Sequence, residues 1–289
     1  MTLLIILLAL MIGWLAGRQL RDLKHLLIHA WFARLMGRSG HPLRPVVLTL
    51  LPGLAVAVLH LYLLQQGQLF SAALVSLAAL VFAWGSRDLD ADVQHYLEAD
   101  DAQERHHAAG MLLMNYREAG SVLDDEKAEV LVEGVFYQAL ARWFGALFWF
   151  LIAGPGGAVM FRFLHALLAE ERNLALLSER QVRSGQRWLS IVDWPAALLA
   201  SLGLAMVGDF DRVVSGSRQL IAKTGWQTFA RDVWPKTGAM IVQVAPDDAF
   251  DHEFSGAPGR VNIAMNLVWR VLVCWLTVAA VTTVVMVLN

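Results

Sequence analysis

Val46–Leu64 reads VVLTLLPGLAVAVLHLYLL and holds no Asp, Glu, Lys or Arg. At about 1.5 Å per residue a helix of this length crosses one bilayer core. Pro52-Gly53 at its middle is compatible with that, because membrane helices carry both residues more often than soluble ones. Four uncharged residues, Gln65–Gln68, lead to a second apolar run, Leu69–Trp84. Two apolar runs joined by a short polar link read as a helical hairpin. Val271–Leu288 is a further charge-free stretch, with Arg270 placed to snorkel at its start. The whole chain agrees with this reading. Of 289 residues, 57% are hydrophobic and 17% charged, against about 25% charged in soluble domains, and the mean hydropathy is +0.51. An ordinary soluble globule, a disordered chain and a disulfide scaffold are excluded. The single cysteine, Cys274, has no internal partner, and a net charge of −2 gives no reason to expect nucleic acid. The expected fold is all-α: a multi-pass helical membrane protein with broken or re-entrant helices and a helical cytoplasmic insert.

Working outward, Met1–Gly17 is apolar but lacks the basic start and Ala-x-Ala site of a signal peptide. It reads as an uncleaved helix that continues into Arg18–Arg38. There Leu20, Leu23, Leu27, Trp31 and Leu35 recur every three or four residues, with Arg21, Lys24, His25 and His29 off the stripe. The pattern fits a basic amphipathic helix in the membrane interface; packing on the protein itself would give the same periodicity.

Two apolar stretches are interrupted. Trp143–Ala169 contains Gly154-Pro155-Gly156-Gly157 and Arg162, and Trp188–Val207 contains Asp193 and Pro195. Each reads as a full crossing or as a broken, re-entrant hairpin. Irregular backbone at membrane depth is tolerated only inside protein or along a wet cavity, which draws functional attention to both. The division expected is residues 1–84 (membrane helices with the basic helix), 85–142 (acidic insert), 143–207 (interrupted helices), 208–267 (polar region) and 268–289 (last membrane helix).

Arg18–Arg44 carries six Lys/Arg against one acid, Asp22. The positive-inside rule puts it in the cytoplasm, with both termini and Gln65–Gln68 outside and Asp88–Arg142 inside.

Asp88–Arg142 is acidic. Asp88–Ala99 reads as a helix with Leu89, Val93 and Leu97 inward, and Asp101 to Glu104 as a capping box opening a second helix that runs to Asn115. Gly120-Ser121 breaks that pattern, and Asp124-Asp125 open a third helix entering the membrane near Trp143. Glu126, Glu129, Glu133 and Tyr137 form one stripe on it. Oxygen ligands at this spacing suit Mg²⁺, with Glu129 and Glu133 as the candidate pair, or a solvated face. His106-His107 point about 100° apart and read as surface residues. No P-loop follows Gly154–Gly157, since no Lys-Ser/Thr is present. Arg212 to about Val233 reads as one helix, and Pro246–Arg260 as a loop.

The order of these features resembles the AmpE family of inner-membrane proteins linked to β-lactamase induction, which share a superfamily with the CbiB/CobD cobinamide-phosphate synthases. The resemblance covers nearly the whole chain. It is carried by Val132-Glu-Gly-Val135, Leu147-Phe-Trp149 leading into Gly154-Pro-Gly-Gly-Ala158, Phe161-Arg162 and Val192-Asp-Trp-Pro195. Glu133, Gly157 and Arg162 match the synthases as well. The synthases' paired Asp is absent, with Ser190 and Ile191 in its place, so the AmpE branch is the nearer. The resemblance implies a bacterial inner-membrane sensor or modulator that couples cell-wall damage to β-lactamase expression. Membrane lipid, the cytoplasmic amidase AmpD, a cell-wall fragment and a further copy of the chain are the partners it brings to mind. The alternative it carries is an ATP-dependent, amide-forming transferase using Mg²⁺ and a nucleotide. On this reading Glu133, Arg162, His165 and Asp193, with Gly156 and Gly157, form a ligand site at the cytoplasmic membrane edge, and no catalytic residue is assigned. Arg162 suits a phosphate or carboxylate; Asp193 suits pairing with Arg162, receiving an amine, or capping a helix.

Overall fold

The computed structural model of the chain describes residues 2–36, 41–84, 89–113, 128–169, 171–243 and 256–288. The described residues form twelve α-helices and no strand. Four stretches are long and apolar enough to cross a membrane: Arg44–Gln65, Ala128–Leu168, Glu179–Val207 and Ala257–Thr282. The chain is an all-α membrane protein. It divides into two compact units, one of residues 1–87 and 141–192, the other of residues 88–140 and 193–288.

The first unit opens with α1 (Thr2–Leu35), one unbroken helix. The spacing of the leucines gives one of its faces; the face that packs is another, which includes Lys24. Leu23, Leu27 and Leu35, on the expected stripe, are exposed, whereas Lys24, Ile28, Phe32 and, just beyond the helix, Met36 are buried. The protein leaves these leucines uncovered and packs on the neighbouring face. There Ile28, Phe32 and Met36 join Leu48, Ala79, Val159, Phe163 and Leu167 in one apolar cluster, with the Phe32 and Phe163 rings edge to face at 5.9 Å.

α2 (Arg44–Gln65) and α3 (Leu69–Ala83) form the expected hairpin across a turn at Gly67, φ 71°. Arg44 at the start of α2 donates from Nε and Nη2 to Leu35 O (3.1 and 2.6 Å), satisfying an end carbonyl of α1.

α7 (Gly145–Ala169) breaks at Gly154, whose φ of 66° and ψ of −159° lie outside the helical region. Only glycine adopts that pair readily. Pro155 follows, with no backbone N–H to continue the ladder. The two arms fold back on each other. Gly145 faces the Phe161 ring, and a Cβ on Gly157 would fall 2.5 Å from Trp149 O. In a straight helix residues 145 and 161 would stand about 24 Å apart. α7 is therefore a hairpin, and Ala128–Leu168 is not one straight crossing. Its second arm packs on α2: a Cβ on Gly53 would fall 2.7 Å from Gly156 O, and one on Gly156 would meet Ala57 Cβ at 2.7 Å. Gly53 lies nine residues into α2, so the break sits about 14 Å along that helix. Small residues permit this closeness. α8 (Glu171–Leu174) follows.

α9 (Glu179–Val207) belongs to the first unit up to Val192 and to the second from Asp193. Of the two readings of Trp188–Val207, the continuous helix is the one found, because α9 runs unbroken through Pro195. Membrane helices absorb a proline where neighbouring groups re-satisfy the freed carbonyl.

In the second unit, α4 (Leu89–Leu97) buries Leu89 and Val93, with Leu97 half-buried, against α5 (Ala102–Leu113). The capping box at the start of α5 is present, with Glu104 N donating to Asp101 Oδ1 at 2.6 Å. Gly120-Ser121 and Asp124-Asp125 lie outside the described residues. α6 (Ala128–Ala139) leads through a π-helical turn, Leu140–Phe144, to α7. The single helix expected from Arg212 to Val233 is instead α10 (Phe210–Thr224), ended by Gly225 at φ 79°, followed by one 3₁₀ and one π turn and then α11 (Trp234–Gln243). α12 (Ala257–Leu288) begins well before Val271, so residues 257–260 of the expected loop are helical. Trp234 is fully buried at the centre, its Nε1 donating to Phe136 O at 3.0 Å and its ring edge to face with Phe136 at 5.3 Å.

Candidate functional site

Arg162 and His165 lie in the first unit, on the second arm of α7. Both are buried, at 8% and 5% exposure. His165 lies against the Phe161 ring, centroids 4.4 Å apart. The fold-back sets this location, carrying Arg162 to the open end of the hairpin.

A second cation waits there. Lys24 of α1 is buried, and its Nζ donates to Val81 O at 2.6 Å and Trp84 O at 3.3 Å. Val81 lies in the last turn of α3 and Trp84 directly follows it, where the helix has no N–H of its own to offer and its dipole is negative. Trp84 in turn stacks on Trp143, centroids 6.4 Å apart and 19° from parallel. Burial lowers the Lys24 ammonium from its ordinary 10.5 to about 8, and the Arg162 charge adds to the fall. Lys24 and Arg162 are thus two buried cationic side chains within electrostatic reach of each other. Lys24 escapes detection in the sequence because it looks like one more solvated charge off the apolar stripe. The signal for it is the Ile28–Phe32 spacing, which shares its helix face.

Glu133 and Asp193 lie in the second unit. Glu133 is 3% exposed on α6 and Asp193 is 3% exposed. Asp193 sits mid-helix in α9 and so caps nothing. The stripe read on α6 runs from solvent at Glu129 into the interior at Glu133 and Tyr137; Glu126 lies outside the described residues. Glu129 and Glu133 therefore do not share one solvated face. Among the described residues no group of three His, Cys, Asp or Glu is placed to hold a metal ion. The charges of Asp193 and of Arg231, in the π turn between α10 and α11, both act on the buried Tyr137 phenol. Arg231 is a member that the sequence reading misses. π turns recur at functional sites.

Gly156 and Gly157 turn to protein. Gly156 meets α2, and Gly157 meets the first arm of its own hairpin. Their contribution is close backbone approach, which holds Arg162 at its station.

Among protein families, curated proteins and solved structures, none matches the chain.

Proposed function

We propose that this chain is a multi-pass protein of the bacterial inner membrane that senses or modulates, reading an anionic ligand at the cytoplasmic edge, as the resemblance to the AmpE family implies. The observation that supports the reading is the buried Lys24–Arg162 pair. An acidic ligand would interact favourably with both charges, and the planar guanidinium of Arg162 suits a carboxylate or phosphate. The six-to-one basic excess of Arg18–Arg44 argues that this end faces the cytoplasm, where cell-wall fragments are recycled and AmpD acts. On this reading ligand arrival exchanges contacts of Arg162, and the change passes along the α7 hairpin it sits on. Regulation of β-lactamase expression is the output the resemblance suggests.

The test has two arms. Purified chain in detergent is titrated with an anionic peptidoglycan fragment and with inorganic phosphate, and cells lacking the chain are complemented with wild type or Arg162→Gln and assayed for β-lactamase induction. The reading expects saturable binding that Arg162→Gln weakens about tenfold or more, the loss typical of one buried charged hydrogen bond, and induction that the variant fails to restore. Binding and induction indifferent to Arg162→Gln would overturn it.

A further inference from the structure

We propose that His25 and His29 form a two-imidazole site on α1 for a first-row transition cation of the Zn²⁺ class. The inference rests on a different face from Lys24 and does not depend on the anion reading.

α1 is continuous from Thr2 to Leu35, so residues 25 and 29 stand one above the other on one flank. This is the i, i+4 spacing by which helical histidine pairs hold Zn²⁺. Both side chains are half-buried. The intervening Leu26 and Leu27 are exposed, and Ile28 is buried, so the pair lies on the border between lipid-facing and packed surface.

The second observation settles the state of one ring. His29 Nδ1 lies 2.9 Å from Asn173 Oδ1. Asn173 is fully buried on α8, and its Nδ2 donates to Ala166 O at 3.0 Å. A carbonyl only accepts, so the amide has a single orientation, and the atom facing His29 is an oxygen. An oxygen cannot donate to Nδ1; Nδ1 therefore carries a hydrogen, and Nε2 is the nitrogen left to meet a metal ion. Metal-ligating histidines are prepared in this way, with the non-ligating N–H bonded to a carbonyl-type oxygen that fixes tautomer and ring plane. Asn173 comes from a separate helix, so the ring is held from outside α1.

Imidazole ligands select the class of ion. Mg²⁺ and Ca²⁺ demand oxygens, while Zn²⁺, Ni²⁺ and Cu²⁺ accept imidazole. The chain supplies two ligands, and water completes the shell. The nearby Lys24 ammonium is turned to the carbonyls of α3, so it does not occupy this flank.

Full-length chain in detergent is titrated with Zn²⁺ alone and, separately, with Cu²⁺ for electron paramagnetic resonance. The expected result is one Zn²⁺ per chain, weakened about tenfold or more by His25→Ala or by His29→Ala and unchanged by His106→Ala with His107→Ala. Asn173→Leu keeps both ligands and is expected to weaken Zn²⁺ by about 10–100-fold. The Cu²⁺ spectrum of the unaltered chain needs no variant, and it is expected to show coupling to two imidazole nitrogens. Zn²⁺ affinity unchanged in the His25→Ala, His29→Ala double variant, or a Cu²⁺ spectrum without two coupled imidazoles, overturns the proposal.

Discussion

Gly145 lies against the ring of Phe161: a Cβ on the glycine would stand 2.8 Å from one ring carbon and closer still to others. Residues this far apart in sequence touch only because α7 reverses at Gly154. Enlarging Gly145 to Val forces the arms apart. The expected loss is about 3 kcal/mol or more, at the upper end of overpacking costs. Gly154→Ala adds no clash, since nothing lies within 4 Å of its Cβ position, but it puts a side chain on a backbone conformation that costs about 1–3 kcal/mol. Thermal unfolding in detergent is expected to rank Gly145→Val as the more damaging of the two.

Lys24 makes stability depend on pH in a particular window. Its folded value, about 8, is below its ordinary 10.5. Between the two the unfolded chain holds the proton and the folded chain does not, so stability from this group rises as pH increases from about 8 toward 10.5. Below about 8 the buried charge carries its full cost. Lys24→Met is expected to flatten that rise. Unfolding free energies of wild type and variant at pH 7.5 and 9.5, taken as a difference, measure it; a difference that does not change with pH argues against a buried ammonium.

α1 shows what periodicity can and cannot disclose. A stripe of leucines every three or four residues proves a helix with an apolar face, and α1 is that helix. It does not say whether lipid or protein covers the face, because both are apolar. Leu27 is 53% exposed and Phe32 is 0% exposed. Phe32→Ala is therefore expected to cost about 3–5 kcal/mol, and Leu27→Ala to change unfolding by no more than about 0.5 kcal/mol. Equal costs would mean that both faces are packed.

The break in α7 was legible for a chemical reason, since Pro155 has no N–H to give. The direction of the break was not, because it depends on the dihedrals of Gly154, and glycine accepts many. The same logic applied to Pro195 fails, since a proline within a packed membrane helix need not end it. Arg162 and Asp193 were legible as costly charges in apolar stretches. Lys24 was not, because the carbonyls that hold it, at Val81 and Trp84, lie 57 and 60 residues away, beyond the reach of any local pattern.

The topology expected from charge is open to direct labelling. Single cysteines at Gln66 and Asp100, in a Cys274→Ser background, are expected to differ in intact cells: an impermeant maleimide reaches Gln66→Cys and not Asp100→Cys. Labelling of Asp100→Cys alone would invert the orientation.

The central claim is that α7 folds back and delivers Arg162 to the end of α3 where Lys24 sits. The most direct measurement is crosslinking of Gly145→Cys with Phe161→Cys, without Cys274, by a short bis-maleimide in membranes. The fold-back predicts efficient intramolecular crosslinking, abolished when the second cysteine is moved to Val58 on the exposed face of α2. A straight helix would hold the pair about 24 Å apart, and failure to crosslink while each single cysteine reacts with a monofunctional maleimide would contradict the account.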